Sequence, residues 1–247
     1  MALNDLLNLS NSKETQKIGL SEERIKAIIP VARQYISFWR EYPDLFVDFL
    51  KTKDNPENFE LFFYQRVFLR AAMRHRYCYA TFPRAFSKSF LSILILLLRC
   101  VLYPNSHLFV TTGGKEQAAS IAKEKADEIC KLIPGLKKEI NWERGQTKTN
   151  KDNIEIIFKN GSKLDIMAAR QSSRGRRATG GLMEECILID QTLLNEVIIP
   201  TMNVDRRLPD GSRHEEEVVN KSQIYVNFFG QNVIIFLTHF SYIVEHQ

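Results

Sequence analysis

The chain contains few cysteines, and none of them has the spacing of a metal site. Among its 247 residues there are four, without a CxxC pair: Cys78, Cys100, Cys130 and Cys186. Their wide separation argues against a structural zinc site and against a disulfide framework. Isolated cysteines in apolar surroundings are typical of core residues in a reducing compartment, so we expect an intracellular protein.

A long apolar run and a secretion signal are also missing. The most apolar stretch, residues 90–103, contains Arg99 and is too short to span a bilayer, so it suits a buried helix. The N-terminus, MALNDLLNLSNSKETQ, has neither the basic region nor the apolar core of a signal peptide. We therefore expect no association with a membrane.

The composition is that of a protein with a sizeable core. Hydrophobic residues make up 44% of the chain and charged residues 26%, which is typical of globular proteins. The length suits one large α/β domain or one domain with an appendage. A net charge of +5 and a pI near 9.0 are compatible with a polyanionic partner.

Apolar periodicity divides the chain into three predicted regions. Residues 1–75 have helical spacing, with helices expected after Ser21, over 43–50 and over 59–73. In residues 76–230, strand-like runs alternate with helical patterns; the predicted strands are 77–82, 107–112, 186–190 and 222–226, with a hairpin in 153–169 that turns at Asn160-Gly161. This alternation predicts an α/β fold with a mostly parallel sheet, helices on both faces and an N-terminal helical appendage. Residues 231–247 form an aromatic tail, which we interpret as divergent or truncated.

The segment YATFPRAFSKSFLSILILLL, residues 79–98, passes from a strand through a turn into a helix. Lys88-Ser89 is how a phosphate-binding loop ends, with the lysine on the β- and γ-phosphates and the hydroxyl on Mg²⁺. Phe82 and Ser87 stand where such loops carry glycine, and a residue with a Cβ at positive φ is disfavoured. The alternative interpretation is an ordinary strand–turn–helix with an isolated lysine.

A second element of a nucleotide site is predicted at Asp190. It ends the apolar run CILID, and a carboxylate at the carboxyl end of a strand can face the Mg²⁺ held by Ser89. Glu184 and Glu185 precede this predicted strand and would lie at its wrong end.

Five segments together resemble one protein family. They are YQRVFLRA, FPRAFSKSFL, LFVTTGGKEQAASIA, RGRRATGG and ECILID, and as a set they are similar to the ATPase domain of the large terminase subunit, the motor that packages DNA into phage capsids. The resemblance implies a P-loop NTPase fold of the RecA/ASCE type and hydrolysis of ATP with Mg²⁺ to move double-stranded DNA. It also implies work with the phage portal and the small terminase subunit, assembly into a homo-oligomeric ring, and a location in the cytoplasm of the bacterial host.

The resemblance also assigns residues. Gln65 would read the adenine, and Arg84 would counter the charge that develops on the transferred phosphate. The expected ATP-binding loop is Pro83, Arg84, Ala85, Phe86, Ser87, Lys88 and Ser89, with Lys88 counted among the catalytic residues. Independently of the resemblance, the basic loop with Arg174, Arg176 and Arg177 could contact phosphates of DNA or of the nucleotide, and we assign it to DNA; its alternative is a solvated run of charge.

The chain departs from the family pattern at two places. Gln191 follows Asp190 where the family has a catalytic glutamate, so we predict that Gln191 positions the water or that Glu196 acts in its place. After residue 226 neither the coupling segment nor the acidic cluster of a nuclease is visible, and we expect no nuclease activity. Two alternatives stay open: a helicase-like ATPase of superfamily 2, and a fragment that binds nucleotide, DNA or capsid components without hydrolysis.

Overall fold

One mixed β-sheet organises the part of the chain that the structure describes. The computed structural model describes residues 22–51, 59–112, 117–143, 147–149, 154–166, 173–208, 211–213, 221–228 and 233–238. The helices are α1 (Glu22–Glu41), α2 (Pro43–Leu50), α3 (Phe63–Arg74), α4 (Lys88–Leu102), α5 (Gln117–Leu132) and α6 (Pro134–Glu139). The strands are β1 (Tyr77–Phe82), β2 (His107–Thr112), β3 (Lys148–Thr149), β4 (Ile154–Ile157), β5 (Lys163–Ile166), β6 (Gly180–Glu184), β7 (Ser222–Phe228) and β8 (Ile234–Thr238).

The strand order places the ends of β1 and β6 at one edge of the sheet. Within the described residues the order is β3-β4-β5-β2-β6-β7-β1-β8. The five strands from β5 to β1 are parallel, while β3, β4 and β8 are antiparallel to their neighbours. Strand β7 lies between β1 and β6 and pairs Val226 with both Ala80 and Glu184. Side chains that follow β1 and β6 therefore meet at the carboxyl edge, where open α/β sheets bind ligands.

Most of the apolar burial lies on one face of the sheet. The larger core joins the N-terminal helices to α4 and β1; its fully buried side chains include Phe46, Phe68, Phe82 and Leu94. A smaller cluster on the opposite face contains Phe109, Ala178, Met183, Ile189, Ile198 and Met202. The helices of the predicted N-terminal region thus share a core with the sheet. The boundaries at 75 and 230 stay predictions, and part of the predicted tail forms the edge strand β8 beside β1.

Two predicted elements near the site need correction. Residues 186–190 are not a strand: Cys186–Leu188 form a 3₁₀ turn, and Ile187 and Leu188 are 66% and 63% exposed. The buried strand is instead β6, the segment GGLME, whose two glycines end the basic run RQSSRGRRATGG that the sequence predicts as a loop. They are required by packing, because a Cβ at Gly180 would approach the Ser222 carbonyl oxygen and one at Gly181 would collide with the Phe109 ring.

The apolar helix α4 is buried as predicted. Residues 90–102 all lie in the interior, and the Arg99 guanidinium donates a hydrogen bond to the Ala72 carbonyl on α3. In the described ranges, no helix has both the length and the apolar character needed to cross a bilayer.

A buried carboxylate joins α2 to α3. Asp44 is fully buried and accepts two hydrogen bonds from the Arg70 guanidinium, at 2.7 and 2.8 Å, and one from Arg66 at 3.3 Å. Burial alone would raise the pKa of Asp44, but the hydrogen bonds from Arg70 and Arg66 outweigh it, so the net pKa lies below the ordinary 3.8. A carboxylate with a depressed pKa stabilises the fold above its unfolded pKa, and this contribution is lost as the pH falls through the folded pKa.

We expect Asp44→Asn to lower the free energy of unfolding at pH 7 by about 1.5–3 kcal/mol, because charge-assisted hydrogen bonds are lost. The difference between variant and parent should shrink as the pH falls below 3.8. Urea titrations at several pH values measure both effects. Asp127→Asn, an exposed acid on α5, is the control and should change stability by less than about 0.5 kcal/mol. An equal loss in both variants would contradict the role given to Asp44.

Candidate active site

The loop between β1 and α4 is built from strained backbone. Ala85 and Ser87 have φ of 64° and 52°, although both carry a Cβ. Each such residue costs about 1–2 kcal/mol, and strain of this kind concentrates at functional sites. The loop thus reaches the left-handed conformation that glycine supplies elsewhere, and it delivers Lys88 and Ser89 to the first turn of α4.

Lys88 and Ser89 each contact one of two adjacent glutamates. The Lys88 ammonium lies 2.9 Å from the Glu185 carboxylate and 3.7 Å from that of Glu184. The Ser89 hydroxyl donates a hydrogen bond of 2.6 Å to Glu184. Lys88 and Glu184 are largely buried, whereas the Glu185 side chain is 42% exposed and reaches the cavity. A cation, a hydroxyl and two carboxylates therefore converge at the carboxyl edge of the sheet.

The acids that contact Ser89 and Lys88 are Glu184 and Glu185, whereas Asp190 makes its described hydrogen bond elsewhere and its metal role stays a prediction. Glu184 is the last residue of β6, and Glu185 turns the chain with a φ of 53°. Asp190 lies beyond the 3₁₀ turn, is exposed, and accepts a hydrogen bond from the Leu193 backbone N–H at 2.9 Å. The available signal was the acidic pair that follows the apolar residues of GGLMEE. The local sequence hides this signal, because the glycines favour a loop and the more apolar CILID favours a strand.

The two residues predicted to act on the water lie outside the cavity lining. Gln191 opens a short helical segment and is exposed; the segment runs through Gln191–Leu193, the π-helical Leu194–Ile198 and Ile199–Thr201. The Glu196 carboxylate binds Arg174 at 2.8 Å, and both side chains are more than half exposed. Among the described residues, the lining contains Glu185 but neither Gln191 nor Glu196. These placements remove the geometric basis of both predictions.

The residues predicted to bind ATP do surround one cavity of about 600 Å³. Its lining includes the whole loop 83–89 and Gln65, and its apolar walls are Phe59, Phe62, Phe86, Phe90 and Phe228. Gln65 is buried, and its side chain accepts from the Phe62 N–H at 2.9 Å. The Arg84 guanidinium lies over the Phe228 ring, 5.1 Å from its centre. Cavities of this size and lining hold drug-sized ligands.

The predicted basic loop lies on the surface before β6. Arg174, Arg176 and Arg177 are all exposed, and Arg174 makes the ion pair with Glu196 described above. No described residue of this loop lines the cavity, so its predicted partner, DNA, would be bound elsewhere than at the loop 83–89.

The side chains at the site fit a magnesium ion. Mg²⁺ prefers oxygen ligands, with one or two carboxylates beside substrate phosphates. The Ser89 hydroxyl and the Glu184 carboxylate are already 2.6 Å apart and offer such oxygens. These two residues would hold the ion, which would neutralise charge on the phosphates when bound.

Comparisons with known proteins agree with this fold. No protein-family profile and no curated protein sequence matches the chain. Among solved structures, the large terminase of bacteriophage HK97 aligns with a TM-score of 0.56 and 14% identity, over 76% of this chain and 37% of that one. The ATPase domain of the Thermus phage P74-26 large terminase aligns with a TM-score of 0.46 and 16% identity, over 70% of this chain and 67% of that one. The large terminase of a third, thermophilic bacteriophage aligns with a TM-score of 0.38 and 12% identity, over 63% of this chain and 34% of that one.

The chain spans little more than a third of the HK97 large terminase that it matches. At 14% identity this likeness concerns the fold. The loop before α4 lies at the carboxyl ends of the parallel strands, where open α/β sheets bind ligands. The chain therefore has a fold similar to that of the matched part of the HK97 large terminase, as the resemblance of its sequence predicted.

Proposed function

We propose that this chain binds ATP with Mg²⁺ and hydrolyses it as the motor domain of a phage large terminase that moves double-stranded DNA. One observation carries the proposal. Lys88 and Ser89 contact the adjacent Glu184 and Glu185 at the carboxyl end of β6. The loop that places them at the start of α4 contains two residues with positive φ. A lysine for phosphates, a hydroxyl and an acid for magnesium, and a second acid for water are the set that this reaction requires.

Each side chain has a distinct task in this proposal. The Lys88 ammonium would bind the terminal phosphates, while the N-terminus of α4 adds its positive dipole end. Ser89 and Glu184 would hold the ion. Glu185 would orient the attacking water and take its proton, a task that a carboxylate can perform and a glutamine cannot.

The opposite wall of the cavity suits the base and the developing charge. Gln65 and the neighbouring phenylalanine rings offer an amide and apolar surface to a purine. Arg84, which lies in the loop, would stabilise charge on the transferred phosphate. Its contact with Phe228 joins it to the end of β7.

The proposal also includes double-stranded DNA and protein partners. The exposed Arg174, Arg176 and Arg177 would contact DNA phosphates, which bind without reading the sequence. The portal, the small terminase subunit and a ring of identical subunits would complete the motor in the cytoplasm of the bacterial host.

ATP binding and phosphate release, measured on the same preparation with and without double-stranded DNA, test the proposal. We expect saturable binding of ATP with Mg²⁺, and phosphate release that rises when DNA is added. Saturable binding without phosphate release would support a binding protein that does not hydrolyse ATP, and the absence of binding would refute the nucleotide site itself.

A further inference from the structure

We propose that Asn227 is a positioning residue for Glu185. Its side chain holds the turn that follows the glutamate and so keeps the Glu185 carboxylate beside Lys88. The inference deepens the proposed function and rests on it, because Glu185 is the group assigned to the water.

The Asn227 side chain is 1% exposed and joins three elements. Its Oδ1 accepts a hydrogen bond from the backbone N–H of Ile187 at 3.2 Å. Its Nδ2 donates to the Tyr79 hydroxyl at 2.8 Å and to the Cys186 sulfur at 3.0 Å. Tyr79 lies on β1, the strand that leads into the loop 83–89. One amide on β7 therefore connects the strand before the loop to the turn after the glutamate.

The turn Cys186–Leu188 depends on these bonds because apolar packing does little for it. Ile187 and Leu188 are more than 60% exposed, so burial of their side chains contributes little to its stability. Glu185 itself has a left-handed backbone, which costs about 1–2 kcal/mol and must be held by its surroundings.

Two backbone hydrogen bonds close this turn on itself, from the Leu188 N–H to the Glu185 carbonyl at 2.9 Å and from the Ile189 N–H to the Cys186 carbonyl at 3.1 Å, and other contacts tie its two ends to the sheet and the core. At its start the Glu185 N–H donates to the Val226 carbonyl at 2.7 Å, and at its far end Ile189 is buried in the smaller core. Asn227 supplies side-chain hydrogen bonds to Cys186 and Ile187, two of the three residues in between. Without it the turn can shift, and the carboxylate that contacts Lys88 at 2.9 Å shifts with it.

The predicted consequence is kinetic. A displacement of about 1 Å in a catalytic group can lower a rate about 100-fold, whereas the ATP-binding groups Lys88 and Ser89 lie on α4 and not on this turn. Loss of the Asn227 side chain should therefore lower kcat and spare the affinity for ATP.

The experiment compares Asn227→Ala with Tyr225→Phe and with the parent protein. Tyr225→Phe is the control, because it removes a hydrogen bond of 2.7 Å to Gln223 on the same strand, whereas the described hydrogen bonds of the turn are made without the Tyr225 hydroxyl. We expect Asn227→Ala to raise amide hydrogen exchange at residues 185–188 about tenfold, from the loss of one buried hydrogen bond. Its kcat for phosphate release should fall about 10- to 100-fold, with the dissociation constant of ATP changed less than about threefold.

Unchanged exchange at 185–188 together with an unchanged kcat would overturn the inference, and so would equal effects in the control. If Asn227→Ala does not fold, Tyr79→Phe removes one of the same bonds without a large cavity, and the same measurements decide. If the parent releases no phosphate, the proposed function fails, while the exchange at 185–188 still reports whether Asn227 holds the turn.

Discussion

Glu185→Gln is expected to lower kcat for ATP hydrolysis by about 10²- to 10⁴-fold, the range that general base catalysis contributes. The affinity for ATP should be retained or increased, because the substitution removes the carboxylate that lies 2.9 Å from the Lys88 ammonium. The glutamine keeps the size of the side chain and loses its ability to accept a proton. Phosphate release under single-turnover conditions and ATP binding by calorimetry separate the two effects.

Two other acids serve as controls for that result. Glu196 was an alternative for the same task, and Asp190 was expected to face the metal, yet both are exposed in the structure. Glu196→Gln and Asp190→Asn should each leave kcat within about threefold of the parent, as surface substitutions do. If Glu196→Gln abolished hydrolysis and Glu185→Gln did not, the assignment of the base would be wrong.

Lys88→Ala is expected to abolish hydrolysis and to weaken ATP binding about 10- to 100-fold. The loss of charge-assisted hydrogen bonds to phosphate costs about 1.5–3 kcal/mol, and each 1.4 kcal/mol is about a tenfold change in affinity. Stimulation of phosphate release by DNA should disappear with it. Unlike Glu185→Gln, this variant loses both binding and turnover.

The matched control is Lys125→Ala. Lys125 also lines the cavity, but it lies on α5 and not at the start of α4 as Lys88 does; its ammonium is paired with Glu128 at 2.7 Å and with Glu124 at 3.4 Å. We expect its removal to change ATP affinity less than about threefold, since exposed ion pairs contribute little. Equal losses in the two lysine variants would indicate a general electrostatic effect and would remove the special role of Lys88.

Elements with strong local signals were predicted well from the sequence. The hairpin turns at Asn160-Gly161, where Gly161 has a φ of 80°, and the short helix α2 begins at Pro43 as expected. Lys88 and Ser89 were found for the same reason: the strand, the loop and the helix that position them are adjacent in the chain. Such features depend on a few consecutive residues.

The acidic half of the site could not be found in the same way. Whether GGLME or CILID forms the strand depends on which run fits between β2 and β7. Local preference favoured the β-branched, apolar CILID. Glycine is required in this strand because Ser222 lies close to Gly180 and Phe109 lies close to Gly181. Each of these contacts joins residues that are more than forty positions apart in the chain. The predictions for Asp190, Gln191 and Glu196 all depended on placing the strand at residues 186–190.

The unequal cores on the two faces of the sheet bear on where this protein can move. Displacing α3 or α4 would disrupt the interior that includes Phe46, Phe68 and Leu94. We therefore expect α3, which carries Gln65, and α4, which begins at Lys88, to keep their relative positions. The segment from Cys186 to Thr201 rests on the smaller cluster, with fewer buried side chains beneath it. We expect a movement driven by a bound nucleotide to occur in this segment, because fewer buried contacts hold it in place. The segment begins directly after Glu185 and contains Glu196, the ion-pair partner of Arg174.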